Sequence, residues 1–151
     1  MSKIVEIRDP DTGRVGNYDF GTDNDSFLLT AQELKTLGIK KWYMCLEVKY
    51  PNLGVQDLDP FSDKLTKEQI GALVIESKMN PWFFARVVAR VPAKGAPKPF
   101  RFYLSRASHA MIWCYIHSID MMVCQPRQTY KTTTAMILIQ HAFIYDQHNI
   151  N

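Results

Sequence analysis

Lys3 to Arg8 alternates apolar and polar residues, the period of a strand with one covered face. Asp9-Pro10-Asp11-Thr12-Gly13 is a turn signal, and Arg14 to Phe20 reads as the returning strand of a hairpin. Gly21 to Ser26 is loop-like. Thr30-Ala31-Gln32-Glu33 has the form of a capping box, which predicts a short helix from Thr30 to a stop at Gly38. After a break this helix is expected to resume from Lys40 to Tyr50, with Trp42, Cys45, Leu46 and Lys49 on one face. Leu53 to Ser62, rich in Asp and Pro, is expected to be loop. A second capping box, Thr66-Lys67-Glu68-Gln69, opens a helix to about Met79 with Ile70, Leu73, Val74 and Ser77 on one face.

Asn80-Pro81 interrupts that helix, because proline disfavours helical backbone in the residue before it. Phe83, Phe84, Val87, Val88 and Val91 then form a helix stripe within Trp82 to Val91, closed by Pro92. Ala93 to Pro99 is the most linker-like segment: a surface connection, or a basic loop that touches DNA. Phe100 to Leu104 alternates like a strand, and Ala107 to Ser118 is apolar on most faces, as in a buried helix. An apolar strand from Ile119 to Cys124, a tight turn and an apolar helix through Ala135 to Tyr145 complete the pattern. The order of elements reads as α/β.

The chain has 151 residues, 46% apolar and 12% aromatic, enough for a packed core. Cys45, Cys114 and Cys124 have neither the even number of a disulfide framework nor a Cys-x-x-Cys spacing, which points to a reducing compartment. His109, His117, His141 and His148 lack metal-ligand spacing. The opening Met-Ser-Lys-Ile-Val-Glu has no signal-peptide character, and no apolar run approaches the length of a membrane span. Net charge is +3 but unevenly spread. Residues 1–76 hold nine Lys/Arg against thirteen Asp/Glu, or −4; residues 77–151 hold nine against two, or +7. Lys78, Arg86, Arg90, Lys94, Lys98, Arg101 and Arg106 fall in a stretch without any acid. Such a field attracts polyanions, or pairs with the acidic first half.

Strand, turn and helix meet at Cys124-Gln125-Pro126-Arg127-Gln128-Thr129-Tyr130-Lys131-Thr132-Thr133-Thr134. A phosphate-binding loop needs this order: N–H groups at a helix start wrap phosphates, a Lys reaches the terminal ones, and the next hydroxyl holds magnesium. Lys131 and Thr132 fit that pattern, while Gln125 and Tyr130 stand at its two glycine positions. A Lys in a helix's first turn faces the positive end of the macrodipole, a cost of about some tenths of a kcal/mol that a bound anion offsets.

Arg-Gln-Thr-x-Lys-Thr after a short apolar strand resembles the deviant Walker A loop of large terminase subunits, the ATPases that package viral DNA. Asn80-Pro81-Trp82-Phe83-Phe84, Arg86, Arg90-Val91-Pro92, Phe102, Arg106-Ala107 and Trp113 look like the segment leading into that loop in terminases of large tailed phages. The resemblance covers the second half and departs at Tyr130, where the family has glycine. It implies a partial P-loop NTPase core of the RecA-like type, with a mostly helical lead-in over 1–79 and the start of the ATPase domain over 80–151. It also implies ATP and Mg2+ as cofactors, Arg127 and Lys131 as catalytic, and Thr132 as the metal ligand. Gln125, Pro126, Arg127, Gln128, Thr129, Tyr130, Lys131, Thr132, Thr133 and Arg106 would contact nucleotide, with Phe102 and His109 near the base. Implied partners are viral double-stranded DNA and the remainder of the terminase or other packaging subunits, in the host cell's cytoplasm; separately, an apolar helix over Ala135 to Tyr145 left without sheet neighbours would be exposed, which points to association with a second copy of the chain.

Hydrolysis requires a second strand ending in an acid for magnesium and a water-orienting Glu. Ala142-Phe143-Ile144-Tyr145-Asp146 imitates the strand, but it lies inside the helix the loop needs, whereas a parallel crossover takes a dozen or more residues. The expectation is therefore a front piece that binds ATP-Mg without turning it over alone. The alternative is a non-catalytic basic remnant that binds DNA or a protein partner.

Overall fold

The computed structural model describes residues 3–92, 95, 97–124 and 130–145. Among these the chain is mixed helix and sheet. β1 (Ile4–Arg8) and β2 (Val15–Asp19) form the expected hairpin, with Val5 opposite Tyr18. Asp9 Oδ1 accepts the Asp11 and Thr12 N–H groups at its turn, and Lys41 Nζ lies 2.7 Å from Asp9 Oδ2. Gly16 in β2 leaves room for the Tyr18 ring, whose hydroxyl a Cβ there would meet at 2.5 Å. β3 (Glu47–Val48) adds to β2, giving an antiparallel sheet in the order β1-β2-β3. The second half of the chain holds its own two-stranded antiparallel sheet, β4 (Arg90–Val91) with β5 (Phe100–Arg101).

The first helix corrects the reading of its start. α1 spans Asp25–Thr36 with Asn24 as N-cap, so Thr30 lies inside it and caps nothing. Thr30 is buried because its hydroxyl donates to Leu104 O across 74 residues of sequence, a long-range bond that local pattern cannot announce. The stop near Gly38 holds: Gly38 has φ 75 and donates to Lys35 O, and Ile39 N donates to Leu34 O. The helix expected over 40–50 does not form. A single 3-10 turn, Met44–Leu46, leads into β3, because Glu47 and Val48 find ladder partners on β2.

α2 (Lys67–Met79) carries the predicted capping box, with Thr66 N donating to Gln69 Oε1 and Gln69 N to Thr66 Oγ1. Its inner face is Leu73, Glu76 and Ser77; Ile70 and Val74 are about half exposed, so the expected apolar face is rotated. α3 (Pro81–Phe83) runs into a π turn over Phe84–Val88, closed by Ala89 N donating to Phe84 O. Val91 leaves the predicted stripe and enters β4. α4 (Arg106–Ile116) and α5 (Lys131–Tyr145) form where the pattern placed helices. Ile119–Cys124, expected as a strand, joins no sheet among the described residues.

The main core joins the two halves of the chain: Tyr18, Phe27 and Cys45 pack with Trp82, Phe102, Ile112 and Ile137. Trp82 is fully buried, whereas Trp42 and Trp113 pack against the core only in part. A satellite cluster of Val55, Leu73, Phe83 and Val87 lies under the 55–65 loop.

Candidate functional site

Two polar assemblies organise the molecule, one buried and one at the start of α5. The buried one centres on Arg86, which is wholly buried in the π turn. Its guanidinium donates to Cys45 O (2.6 Å, Nη1) and to Glu47 O (3.2 Å, Nη2). Its own carbonyl, at the end of the helix, takes the Asn24 side-chain amide at 3.1 Å. Burial pulls the Arg86 pKa down, and the charges of Asp19, Glu76 and Glu47 oppose that pull. Glu76 is also fully buried; its two oxygens accept Lys49 N and Tyr50 N, each at 2.8 Å. Asn80 Nδ2 donates to Glu76 Oε1 (2.7 Å) and Glu47 O (2.9 Å), while Asn80 Oδ1 caps α3 through Phe83 N. The Asn80-to-Arg86 segment is therefore a structural hub. It ties the 45–50 backbone to α2 and leaves no side chain of the network facing solvent.

At the second assembly, Gln125, Pro126, Arg127, Gln128 and Thr129 lie outside the described residues. Tyr130, Lys131, Thr132 and Thr133 are described. Lys131 is the first residue of α5, with Thr132 exposed and Thr133 half-buried in the same first turn. Tyr130 has φ 57, the left-handed region that L side chains with a Cβ rarely adopt. Its carbonyl accepts Thr134 N at 2.8 Å and the Thr134 hydroxyl at 2.9 Å. Thr134 Oγ1 also lies 2.9 Å from Ser108 Oγ, and Ser108 Oγ 3.0 Å from Ser105 Oγ. Each hydroxyl has one proton. The Thr134 proton therefore serves either the Tyr130 carbonyl or Ser108 Oγ at one time, and Thr134 N holds the Tyr130 carbonyl throughout. Ser105 is the N-cap of α4. The unusual backbone at Tyr130 is thus anchored through a buried hydroxyl relay to the start of the neighbouring helix. The Tyr130 ring is half exposed, with its centroid 6.0 Å from that of Tyr103, ahead of α4.

Arg106, the first residue of α4, points outward and places Nε 3.4 Å from Glu33 Oε2. Phe102 and His109 belong to the interior: Phe102 is core, and His109 stacks on Trp82 at 4.7 Å, where burial lowers its pKa to about 4. They are packing residues, and the suggestion of base contact at those two positions is corrected by their burial.

The basic stretch is largely engaged within the molecule. Arg86 is internal, and Arg90 donates to Val87, Val88 and Ala89 carbonyls while its guanidinium lies 4.6 Å from the Phe61 ring centre. Arg101 pairs with Asp23 (2.6 Å to Oδ2) and Arg106 with Glu33. Of the remainder, Lys78 and Lys98 are exposed, and Lys94 lies outside the described residues. Arg101 and Arg106 thus pair with acids of the first half, while Arg86 and Arg90 are spent on backbone carbonyls.

No group of three or more His, Cys, Asp or Glu that could hold a metal ion occurs among the described residues, and no helix there is long and apolar enough to cross a membrane. An open groove of about 780 Å³ is lined by Lys49, Lys78, Tyr115, Asp120, Leu138 and His141, at the far end of α5 from Lys131. His141 is committed within it: Nε2 donates to Ser77 O at 2.9 Å, which leaves Nδ1 to accept from the Tyr115 hydroxyl at 3.0 Å. The signal that sequence reasoning missed is the buried Glu76–Asn80–Arg86 set, spaced four and six residues apart around the apolar run Pro81 to Ala85. No protein-family model, curated protein or solved structure matches this chain.

Proposed function

We propose that this chain is a nucleotide-binding front piece of a DNA-packaging ATPase of the large-terminase type, taking ATP with Mg2+ at the start of α5. The observation that carries the reading is the left-handed backbone at Tyr130, directly before Lys131. A P-loop has glycine at that position, where a backbone of this hand is needed for the chain to turn into the helix with its N–H groups outward. Here the backbone has that hand although the residue is tyrosine, and a relay of three buried or half-buried hydroxyls holds it there. The position keeps a glycine's geometry without a glycine.

The donor set suits the ligand. Lys131 supplies a cation at a helix N-terminus, where first-turn N–H groups also favour negative charge. Thr132 offers an exposed hydroxyl in the same turn for a magnesium ion. ATP-Mg, when bound, supplies a transferable phosphoryl group; the described residues provide grip and orientation only. The first turn of α5 carries no acid, and the proposed activity is binding rather than turnover by this chain alone. Double-stranded DNA and the other packaging subunits are proposed partners of the assembly, in the host cell's cytoplasm. Arg86, Arg90, Arg101 and Arg106 make contacts within the chain, and the proposed DNA contact lies on other parts of the assembly.

Titration with a fluorescent ATP analogue, with and without Mg2+, tests the proposal. Lys131→Ala should weaken binding by tenfold or more, the loss of one charge-assisted contact of about 1.5–3 kcal/mol. Binding that is indifferent to Lys131→Ala and to Mg2+ would reject the site.

A further inference from the structure

Sulfur recurs in the second half of the chain with one spacing. Met111-Ile112-Trp113-Cys114 and Met121-Met122-Val123-Cys124 are both Met-x-x-Cys. On α4, a separation of three residues sets Met111 and Cys114 beside each other on one face. The helix then ends in a reversal of the chain. Ser118 has φ 52, in the left-handed region, while Ser118 N donates to Tyr115 O and Ile119 N to Cys114 O. The stretch that follows joins no sheet among the described residues, and its 121–124 part lies against α4 instead.

The two motifs meet across a pocket of about 290 Å³. Met111, Cys114, Met121, Met122 and Cys124 are five of its eight described lining residues, and the other three are alanine or valine. The alanines, on the same face of α4, are too short to fill the space, which is why it stays open. No lining side chain carries oxygen or nitrogen, so sulfur is the only side-chain donor the pocket offers. Met111 is buried and Cys114 half-buried on the α4 side, while Met121 and Cys124 are exposed on the other.

We infer that this pocket binds copper(I), with the Cys114 and Cys124 thiolates as charged ligands and the Met111 and Met121 thioethers as neutral ones. The donors select the ion. Calcium and magnesium need oxygen ligands, which these side chains lack. Structural zinc takes four ligands from Cys, His and carboxylates, and an iron–sulfur cluster takes four cysteines. The pocket has two cysteines, short of the group of three His, Cys, Asp or Glu that is absent among the described residues, and methionine supplies the rest. Thiolate and thioether together suit Cu(I), a soft ion. The unbranched Met side chains can adjust their reach to it. Each cysteine gives up its proton to solvent as its sulfur takes the ion, so affinity falls as pH is lowered. The inference uses none of the residues assigned to the nucleotide and does not depend on binding at Lys131.

The test is an anaerobic competition titration of the full chain against the copper(I) chelator bathocuproine disulfonate, with ascorbate as reductant. Each chain should withdraw one Cu(I) from the chelator. Cys114→Ser and Cys124→Ser should each weaken binding by about tenfold or more, the scale on which even a ligand's supporting partners act. Met111→Leu and Met121→Leu should weaken it several-fold, and Met136→Leu, at an exposed position on α5, should leave it unchanged. Bound copper should also protect Cys114 and Cys124 together from a thiol reagent. That readout uses the unaltered chain, so it decides the matter even where a variant does not fold. A wild type that withdraws no copper overturns the proposal, as does undiminished binding by the Cys114→Ser, Cys124→Ser double variant. Protection of one cysteine without the other overturns it too, and so does sedimentation showing two chains per copper, which would place the ion between copies.

Discussion

Glu76→Gln tests the buried hub, and its cost can be worked from the hydrogen bonds. Glu76 is fully buried, and both of its oxygens accept: Oε1 from Lys49 N and Asn80 Nδ2, Oε2 from Tyr50 N. A glutamine of the same shape has one oxygen and one amide nitrogen. Whichever way it is turned, its NH2 faces a backbone N–H that it cannot satisfy. One charge-assisted hydrogen bond worth about 1.5–3 kcal/mol is lost, and a buried N–H left unpaired costs about 1–3 kcal/mol more. The carboxylate also balances wholly buried Arg86, and removing one member of a buried charged set typically costs about 3–5 kcal/mol. These descriptions overlap, so the expected loss is about 3–5 kcal/mol, against a total stability of roughly 5–15 kcal/mol. At about 2–4 °C per kcal/mol for a chain of this size, the midpoint should fall by roughly 10–15 °C. Thermal denaturation followed by circular dichroism reads this directly. Glu68→Gln, exposed in the first turn of α2, is the control and should move stability by no more than about 0.5 kcal/mol. A Glu76→Gln midpoint within about 3 °C of wild type would show that Glu76 is not the acceptor of the 49–50 backbone.

Tyr130→Gly should strengthen ATP-analogue binding several-fold. It relieves about 1–2 kcal/mol of left-handed strain while adding about 0.5–1 kcal/mol of unfolded-state entropy, so stability should rise slightly or stay level; a clear destabilisation would place the Tyr130–Tyr103 ring contact above the strain. His109 makes stability pH-dependent: its pKa is about 4 folded and near 6.5 unfolded, so the unfolded state binds more protons between those values. Stability is therefore lost as pH falls below about 6.5, by roughly 2 kcal/mol between pH 7 and pH 5, and urea midpoints for His109→Leu should lack that slope. Burial pushes the Cys45 thiol up to about 12, so a thiol reagent should label exposed Cys124 fast, half-exposed Cys114 more slowly, and Cys45 only on unfolding. Rapid Cys45 labelling in the native state would contradict its place in the core.

The features that sequence disclosed are those whose causes are local. The Asp9–Gly13 hairpin turn, the Thr66 capping box, the Gly38 stop and the helices at 106–116 and 131–145 rest on neighbours a few residues apart. The misplaced elements answer to partners far along the chain. Thr30 resembles a cap but is drawn inside α1 by Leu104 O, and residues 44–48 abandon a helix because β2 supplies hydrogen bonds to Glu47 and Val48. The hub shows the same limit in chemical form. A lone Glu or Arg in an apolar stretch reads as surface charge, and only the fold shows that Glu76 and Arg86 both turn inward to hold the 45–50 backbone.

At the candidate site the order is reversed. Lys131 and Thr132 at a helix start were legible from spacing, and Tyr130 was legible as a departure from glycine, but the hand of its backbone was not. A Cβ-bearing residue in left-handed backbone costs energy that packing must offset. Here the offset is visible, in a carbonyl that receives two hydrogen bonds from Thr134 and a relay back to the cap of α4. A loop with no need of that geometry would relax at Tyr130 at little cost, since the ring itself is half exposed and holds nothing in the core. That the surrounding hydroxyls maintain it is the physical reason to look for an anion at the start of α5 rather than in the larger groove beside His141.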